Sequence, residues 1–73
     1  MDQSFKGVCL ALARQLKERR EEMGLSQEAL ADQAEVDRTY VSKIERAVAN
    51  PSILVLHRLA GALDMDLLEL LKR

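Results

Sequence analysis

Residues Ser26 to Arg46 read SQEALADQAEVDRTYVSKIER, and the fold turns on how this stretch is punctuated. Ser26 is a strong helix N-cap, because its hydroxyl can accept from an amide left unpaired in the first turn. A helix from Gln27 to about Ala34 follows, with Ala29, Leu30 and Ala34 as apolar contacts. Only Glu35 and Val36 separate it from Asp37, a second cap residue, so the next helix begins after a very tight turn. That helix runs from Arg38 to about Arg46. At about 100° per residue, Val41 and Ile44 share one side and Thr39, Ser42, Lys43 and Arg46 share the opposite one. Arg38 and Glu45 lie on one flank and Tyr40 on the other. A short core helix would scatter charge over its outer face, whereas this one gathers hydrogen-bonding residues into a coherent fork.

Working outward, Ser4 can cap a first helix reaching about Met23, with Phe5, Val8, Cys9, Leu12, Leu16 and Met23 largely on one face. Gly24 then suits a left-handed helix terminus. After a loop from Ala47 to Pro51, Ser52 caps a helix from Ile53 to about Leu63, whose core stripe reads Ile53, Leu56, Leu59, Ala60 and Leu63. Asp66 caps a last short helix, Leu67 to Leu71. The reading is all-α, five helices in a single domain spanning 1–73, with Leu and Ala dominant and strand formers sparse.

Composition narrows the function. With 48% hydrophobic and 32% charged residues the chain can bury one core, and 73 residues leave no room for a second. Cys9 is the single cysteine, which excludes an internal disulfide and a thiolate metal cluster; it reads as a small buried hydrophobe. Met1 to Lys6 is polar and no apolar run reaches membrane-spanning length, so neither a secretion signal nor a membrane partner is expected, and the location expected is cytoplasmic. His57 is the one histidine and has no cysteine partner or Gly-rich phosphate cradle beside it. No enzymatic activity, cofactor, metal or small-molecule ligand is expected. The net charge of −1 argues mildly against a nucleic-acid partner. Its distribution argues the other way: Arg38, Lys43 and Arg46 are grouped with Glu45 as the one acid among them, and local charge decides whether a face can meet phosphate.

Two short helices joined by a tight turn, the second exposing a polar face, form a helix-turn-helix over about 26–46. A major groove about 12 Å wide admits one α-helix. The segments Ser26-Gln27-Glu28-Ala29-Leu30-Ala31, Val36, Val41-Ser42-Lys43-Ile44-Glu45-Arg46, Pro51-Ser52 and Leu59-Ala60-Gly61-Ala62-Leu63 resemble the Xre/Cro-like helix-turn-helix family, the five-helix, lambda-repressor-like domains of phage repressors and bacterial regulators. The resemblance spans about Val8 to Leu71. Asp37-Arg38-Thr39-Tyr40-Val41-Ser42 further resembles the controller proteins of restriction–modification systems.

The resemblance implies a sequence-specific regulator of double-stranded DNA. It implies that Gln27 bonds a phosphate and braces the recognition helix, that Arg38 and Thr39 read the first bases, and that Lys43 reads a later one. Ser42 and Arg46, further along, fit backbone contacts. Tyr40 is expected either to pack beneath the fourth helix, with its hydroxyl on phosphate, or to serve the core alone. Glu45 is expected to pair with Arg20 rather than with DNA. Where the family commonly has glycine this chain has Glu35, Ala47 and Asp64, so those turns are either built differently or cost stability. The Val48-Ala49 loop lacks the basic residues of many relatives, which implies modest affinity per monomer.

Leu54, Val55, Leu68 and Leu71 supply more apolar surface than one small core needs, and such patches mark interfaces. A two-fold homodimer would set two recognition helices about 34 Å apart on a palindromic operator. The rival reading is an antitoxin-type or adaptor-type protein-interaction module on the same fold, which the net negative charge and neutral loop favour.

Overall fold

Five side chains start the five helices. The computed structural model describes residues 4–72; Met1 to Gln3 of the polar amino terminus, and Arg73, lie outside that range. Ser4 Oγ accepts from the Gly7 amide at 3.1 Å and opens α1 (Phe5–Glu22). Ser26 Oγ accepts from Ala29 at 3.0 Å and opens α2 (Gln27–Ala34). Asp37 Oδ1 accepts from Thr39 at 2.7 Å and opens α3 (Arg38–Glu45), while Ser52 Oγ accepts from Val55 at 3.1 Å and opens α4 (Ile53–Ala62). At α5 (Leu67–Leu71) the arrangement is reciprocal. Asp66 caps the helix and Glu69 Oε1 accepts from the Asp66 amide at 3.0 Å, so two orphan donors are satisfied at once.

The first four helices also end alike. Each closes with a long backbone bond over the last turn: Leu25 N to Arg20 O, Val36 N to Ala31 O, Val48 N to Lys43 O, and Met65 N to Ala60 O, at 2.9–3.0 Å. This is the Schellman termination, which needs one left-handed residue after the helix. Gly24 supplies it without strain at φ 69°. Glu35 (φ 57°), Ala47 (φ 60°) and Asp64 (φ 54°) supply it with a Cβ in place. The turns are therefore built on the glycine geometry, and the strain is carried. A left-handed non-glycine residue costs about 1–2 kcal/mol, least for Asp, whose carboxylate can bond locally.

Ala47 has no polar side chain to offset that strain, so Ala47→Gly is expected to stabilise the domain. Against the relief stands the entropy glycine adds to the unfolded chain, which leaves a net gain of about 0.5–1 kcal/mol. For a domain of this size that is roughly 2–8 °C in melting temperature, to be read by circular dichroism. An unchanged or lower melting temperature would show that the turn carries no strain.

One hydrophobic cluster holds the helices together. Leu16, Leu30, Val41, Ile44, Leu59, Leu63 and Leu70 are its fully buried members. α3 lies against both α1 and α2, α2 also meets α4, and α5 closes between α1 and α4. Burying Val41 and Ile44 against two helices leaves the opposite side of α3 to solvent, which is the feature that matters for function. Among the described residues there is no strand, and no helix is long and apolar enough to cross a membrane.

Several expected core positions are displaced. Ile53 is 72% exposed, whereas Val55, expected at an interface, is half-buried and packs against the core. At 100° per residue Val55 lies about 40° from the fully buried Leu59 and Ile53 about 120° away, so the stripe runs Val55, Leu56, Leu59, Ala60, Leu63. In α1 the core face is Cys9, Leu12, Ala13 and Leu16, while Phe5, Val8 and Met23 are exposed. The buried positions of α1 lie between Gly7 and Leu16, so the core is built on the middle of the helix and its two ends carry exposed apolar side chains.

Candidate nucleic-acid interface

α3 presents Arg38, Thr39, Lys43 and Arg46 to solvent. Ser42 is half-buried between them, and its Oγ accepts from Arg46 Nε at 3.3 Å, which draws the guanidinium back along the helix. The outer surface thus carries cations at both ends and hydroxyls between. Asp37, at the amino end, has its carboxyl held below the usual carboxylate range. The chief cause is the Thr39 backbone amide that it accepts from, followed by the Thr39 side chain, with Arg38 and Lys43 adding positive charge nearby. The acid therefore stays ionised near neutral pH, with its lone pairs engaged by the helix start.

Tyr40 has one side on the core and another on open space. It is half-buried against the core and borders an open cleft of about 450 Å³, lined also by Asp37, Thr39, Lys43, Val48, Ala49 and Asn50. The cleft lies between the first two turns of α3 and the loop that follows the helix. Asn50, which no spacing pattern singled out, contributes a polar group to its wall. The loop is itself anchored: Cys9, buried in α1, directs its Sγ to the Ala49 carbonyl at 3.8 Å.

Beneath this surface lies an ionic knot. Arg20 Nε donates to Glu45 Oε2 at 2.7 Å and Arg20 Nη2 donates to Glu45 Oε1 at 3.0 Å, a two-point pairing of α1 with α3. A third Arg20 donor, Nη1, reaches the Leu25 carbonyl at 2.8 Å, in the turn before α2. Gln27 Nε2 donates to Glu45 Oε1 at 3.1 Å. The side chains of Arg20 and Glu45 are only 11% and 4% exposed, so both charges are largely withdrawn from water. Arg20 has its pKa raised, first through the hydrogen bond to Glu45 and then through the same residue's charge, against the pull of desolvation.

The candidate residues thus fall into three groups. Arg38, Thr39, Ser42, Lys43 and Arg46 share the outer side of α3, with Tyr40 at its edge. Gln27 comes from α2 and meets α3 at its far end, through Glu45. Leu54, Leu68 and Leu71 belong to another region, the exposed sides of α4 and α5. Two ties have no counterpart in the sequence patterns: Arg19 Nε to the Leu63 carbonyl at 2.9 Å and Gln15 Nε2 to the Lys72 carbonyl at 3.0 Å. They pin α1 to the end of α4 and to the end of α5. Among the described residues no three His, Cys, Asp or Glu side chains are grouped to hold a metal ion.

The model of a family described as "Helix-turn-helix" matches residues 16–70. The control protein C.MunI of a Mycoplasma species is 43% identical over 54 residues, covering 74% of this chain and 73% of that protein. Among solved structures, the restriction–modification controller protein C.AhdI from Aeromonas hydrophila superposes with a TM-score of 0.82 at 40% identity, covering 85% of this chain and 94% of that one. SinR, a master regulator for biofilm formation solved in complex with DNA, superposes with a TM-score of 0.80 at 37% identity, covering 84% of this chain and 98% of that one.

Proposed function

The chain belongs to the helix-turn-helix family of Xre/Cro-like DNA-binding transcriptional regulators, and on that premise we propose that it reads a palindromic operator as a homodimer. The observation that carries the reading is the solvent-facing side of α3, where Arg38, Thr39, Lys43 and Arg46 stand exposed on a helix whose other side is locked into the core. An eight-residue helix is about 12 Å long, which matches the width of the major groove it would occupy. Arg38 and Thr39, in the first turn, reach base edges; Lys43 reads a later base or its phosphate. Arg46 and Gln27, at the other end, face the sugar–phosphate wall, and Ser42 holds Arg46 in place. Tyr40 and Asn50, across the cleft, contact the backbone on the near side.

Pairing of two copies is supported by the exposed leucines of α4 and α5. Leu68 is 74% exposed, and Leu54 and Leu71 are exposed with it, on helices that pack against each other. Ile53, unexpectedly outside the core, adds to the same apolar supply, and Val55 contributes only its uncovered edge. A two-fold pair through these helices would set the two α3 helices one DNA turn apart, about 34 Å.

The second reading, a protein-interaction module, draws on the net charge of −1 and the uncharged Val48-Ala49 loop. Salt separates the two. If Lys43 and Arg46 of each protomer neutralise phosphates, about four counterions leave per dimer. The logarithm of the binding constant then falls by roughly 3.6 per tenfold rise in salt. Fluorescence anisotropy on a labelled duplex between about 50 and 200 mM salt reads this directly. A flat response would remove the DNA reading and leave the adaptor.

A further inference from the structure

We infer that Glu45, which does not face DNA itself, is a positioning residue for it: the carboxylate fixes the Gln27 side-chain amide so that an N–H, not the carbonyl, meets the operator phosphate. The inference rests on the reading of Gln27 as a phosphate contact and adds what orients it.

The chemistry follows from what each group can do. Arg20 donates to both oxygens of Glu45, and a carboxylate paired with a guanidinium in this way offers only acceptors to its other neighbours. Its Oε1 already accepts from Arg20 Nη2 at 3.0 Å and takes a second donor, Gln27 Nε2, at 3.1 Å. The Gln27 amide has one face that donates and one that accepts. Turned the other way, its carbonyl oxygen would meet a carboxylate oxygen, a repulsive contact in a site where the Glu45 side chain is 4% exposed. The amide is thus held with its nitrogen toward α3, and one of its two N–H groups is consumed there. The other remains for an anion. Phosphate only accepts, so a freely turning amide would spend part of its time presenting the wrong atom.

The knot reaches further back than α2. Arg20 holds the carboxylate at two points and also the Leu25 carbonyl, the turn that leads into Ser26 and Gln27. One guanidinium therefore sets both the backbone that carries Gln27 and the acceptor that turns its amide.

The test is a double-mutant cycle on a half-site or full operator duplex, at a temperature where circular dichroism shows every variant folded. Gln27→Ala is expected to weaken binding about tenfold per half-site, as for a hydrogen bond to a charged group. Glu45→Gln replaces the obligate acceptor with an amide that can donate to Gln27 Oε1 and turn it around. It is expected to weaken binding by a similar factor, and the double variant to be no worse than either single variant by more than about twofold. No phosphate-neutralising cation changes in Gln27→Ala, so its salt slope stays that of the parent. If the two losses multiply instead, Glu45 serves stability alone and the positioning inference is overturned while the Gln27 contact stands. If Gln27→Ala binds like the parent, the phosphate contact itself is wrong.

A measurement on the unaltered chain guards against a Glu45→Gln variant that fails to fold. In nitrogen-15 NMR spectra of the free protein, the Gln27 side-chain amide should be rigid, with one proton shifted downfield by its carboxylate acceptor. The exposed Gln33 amide serves as the mobile reference. A Gln27 amide as mobile as that of Gln33 overturns the inference.

Discussion

Reversing charge at Arg38 and Lys43 together, to glutamate, is expected to abolish operator binding while the domain melts as before. Both side chains are exposed, Lys43 on the side of α3 opposite Val41 and Ile44 and Arg38 on its flank, so neither holds the core. A glutamate at the first position of α3 is favoured by the helix dipole, and exposed substitutions of this kind change stability by no more than about 0.5 kcal/mol. On the DNA side the loss is large. An Arg–guanine pair is worth about 1–3 kcal/mol of discrimination, and two protomers double it, which alone gives a factor of roughly 30 to 3 × 10⁴. Each reversal also lowers the charge by two, taking the chain from −1 to −5 and turning attraction to phosphate into repulsion. Gel retardation beside thermal melting measures the two effects separately. Unchanged retention with an unchanged melt would mean that this face of α3 is merely wetted.

Leu68→Glu is expected to be nearly as damaging by another route. Leu68 is 74% exposed in the single chain, nearly opposite the fully buried Leu70 on the same helix. A charge at position 68 therefore leaves the monomer fold alone and penalises burial against a second copy. The second half-site then loses the advantage of being bound intramolecularly, which is worth about 10²–10⁴ in apparent affinity. Sedimentation should show monomers where the parent shows dimers, and operator binding should fall by that factor. A variant that sediments and binds like the parent would move the interface away from α4 and α5.

The sequence was most informative where one residue acts on its immediate neighbours. Ser4, Ser26, Asp37, Ser52 and Asp66 are short polar side chains placed before apolar periodicity, and each starts a helix because its acceptor lies within reach of an amide two or three residues on. Five helices followed from that local chemistry. The outer side of α3 was likewise legible, since Val41 and Ile44 must face inward and everything at 180° to them must face out. Position along a helix relative to the body was not legible. Phe5 continues the Cys9–Leu16 face, yet it is exposed at the first position of α1, and no pattern within α1 records where the neighbouring helices cover it. Ile53 and Val55 exchanged roles because a ten-residue helix whose first four residues are all apolar fits more than one stripe, and only the contacts with α2 and α5 select between them.

Ties between distant positions had no signature at all. Gln27 meets Glu45 across 18 positions and Arg19 meets Leu63 across 44, and each depends on which helices touch rather than on any spacing within one. The same holds for the cleft beside Tyr40. Its far wall is the loop from Val48 to Asn50, whose course is set by the left-handed turn at Ala47 and by the Cys9 contact with Ala49. Asn50 faces the cleft for those reasons, none of which is local to Asn50.

Selection of bound sequences from random duplexes, run in parallel on the parent chain and on Arg38→Ala, probes most directly whether α3 enters the major groove of a two-fold site. The parent should enrich an inverted repeat with half-sites about 10 base pairs apart, and Arg38→Ala should relax one guanine position in each half while keeping the spacing. A parent pool without an inverted repeat, or two pools with the same preferences at every position, would contradict the assignment of α3 as the reading element.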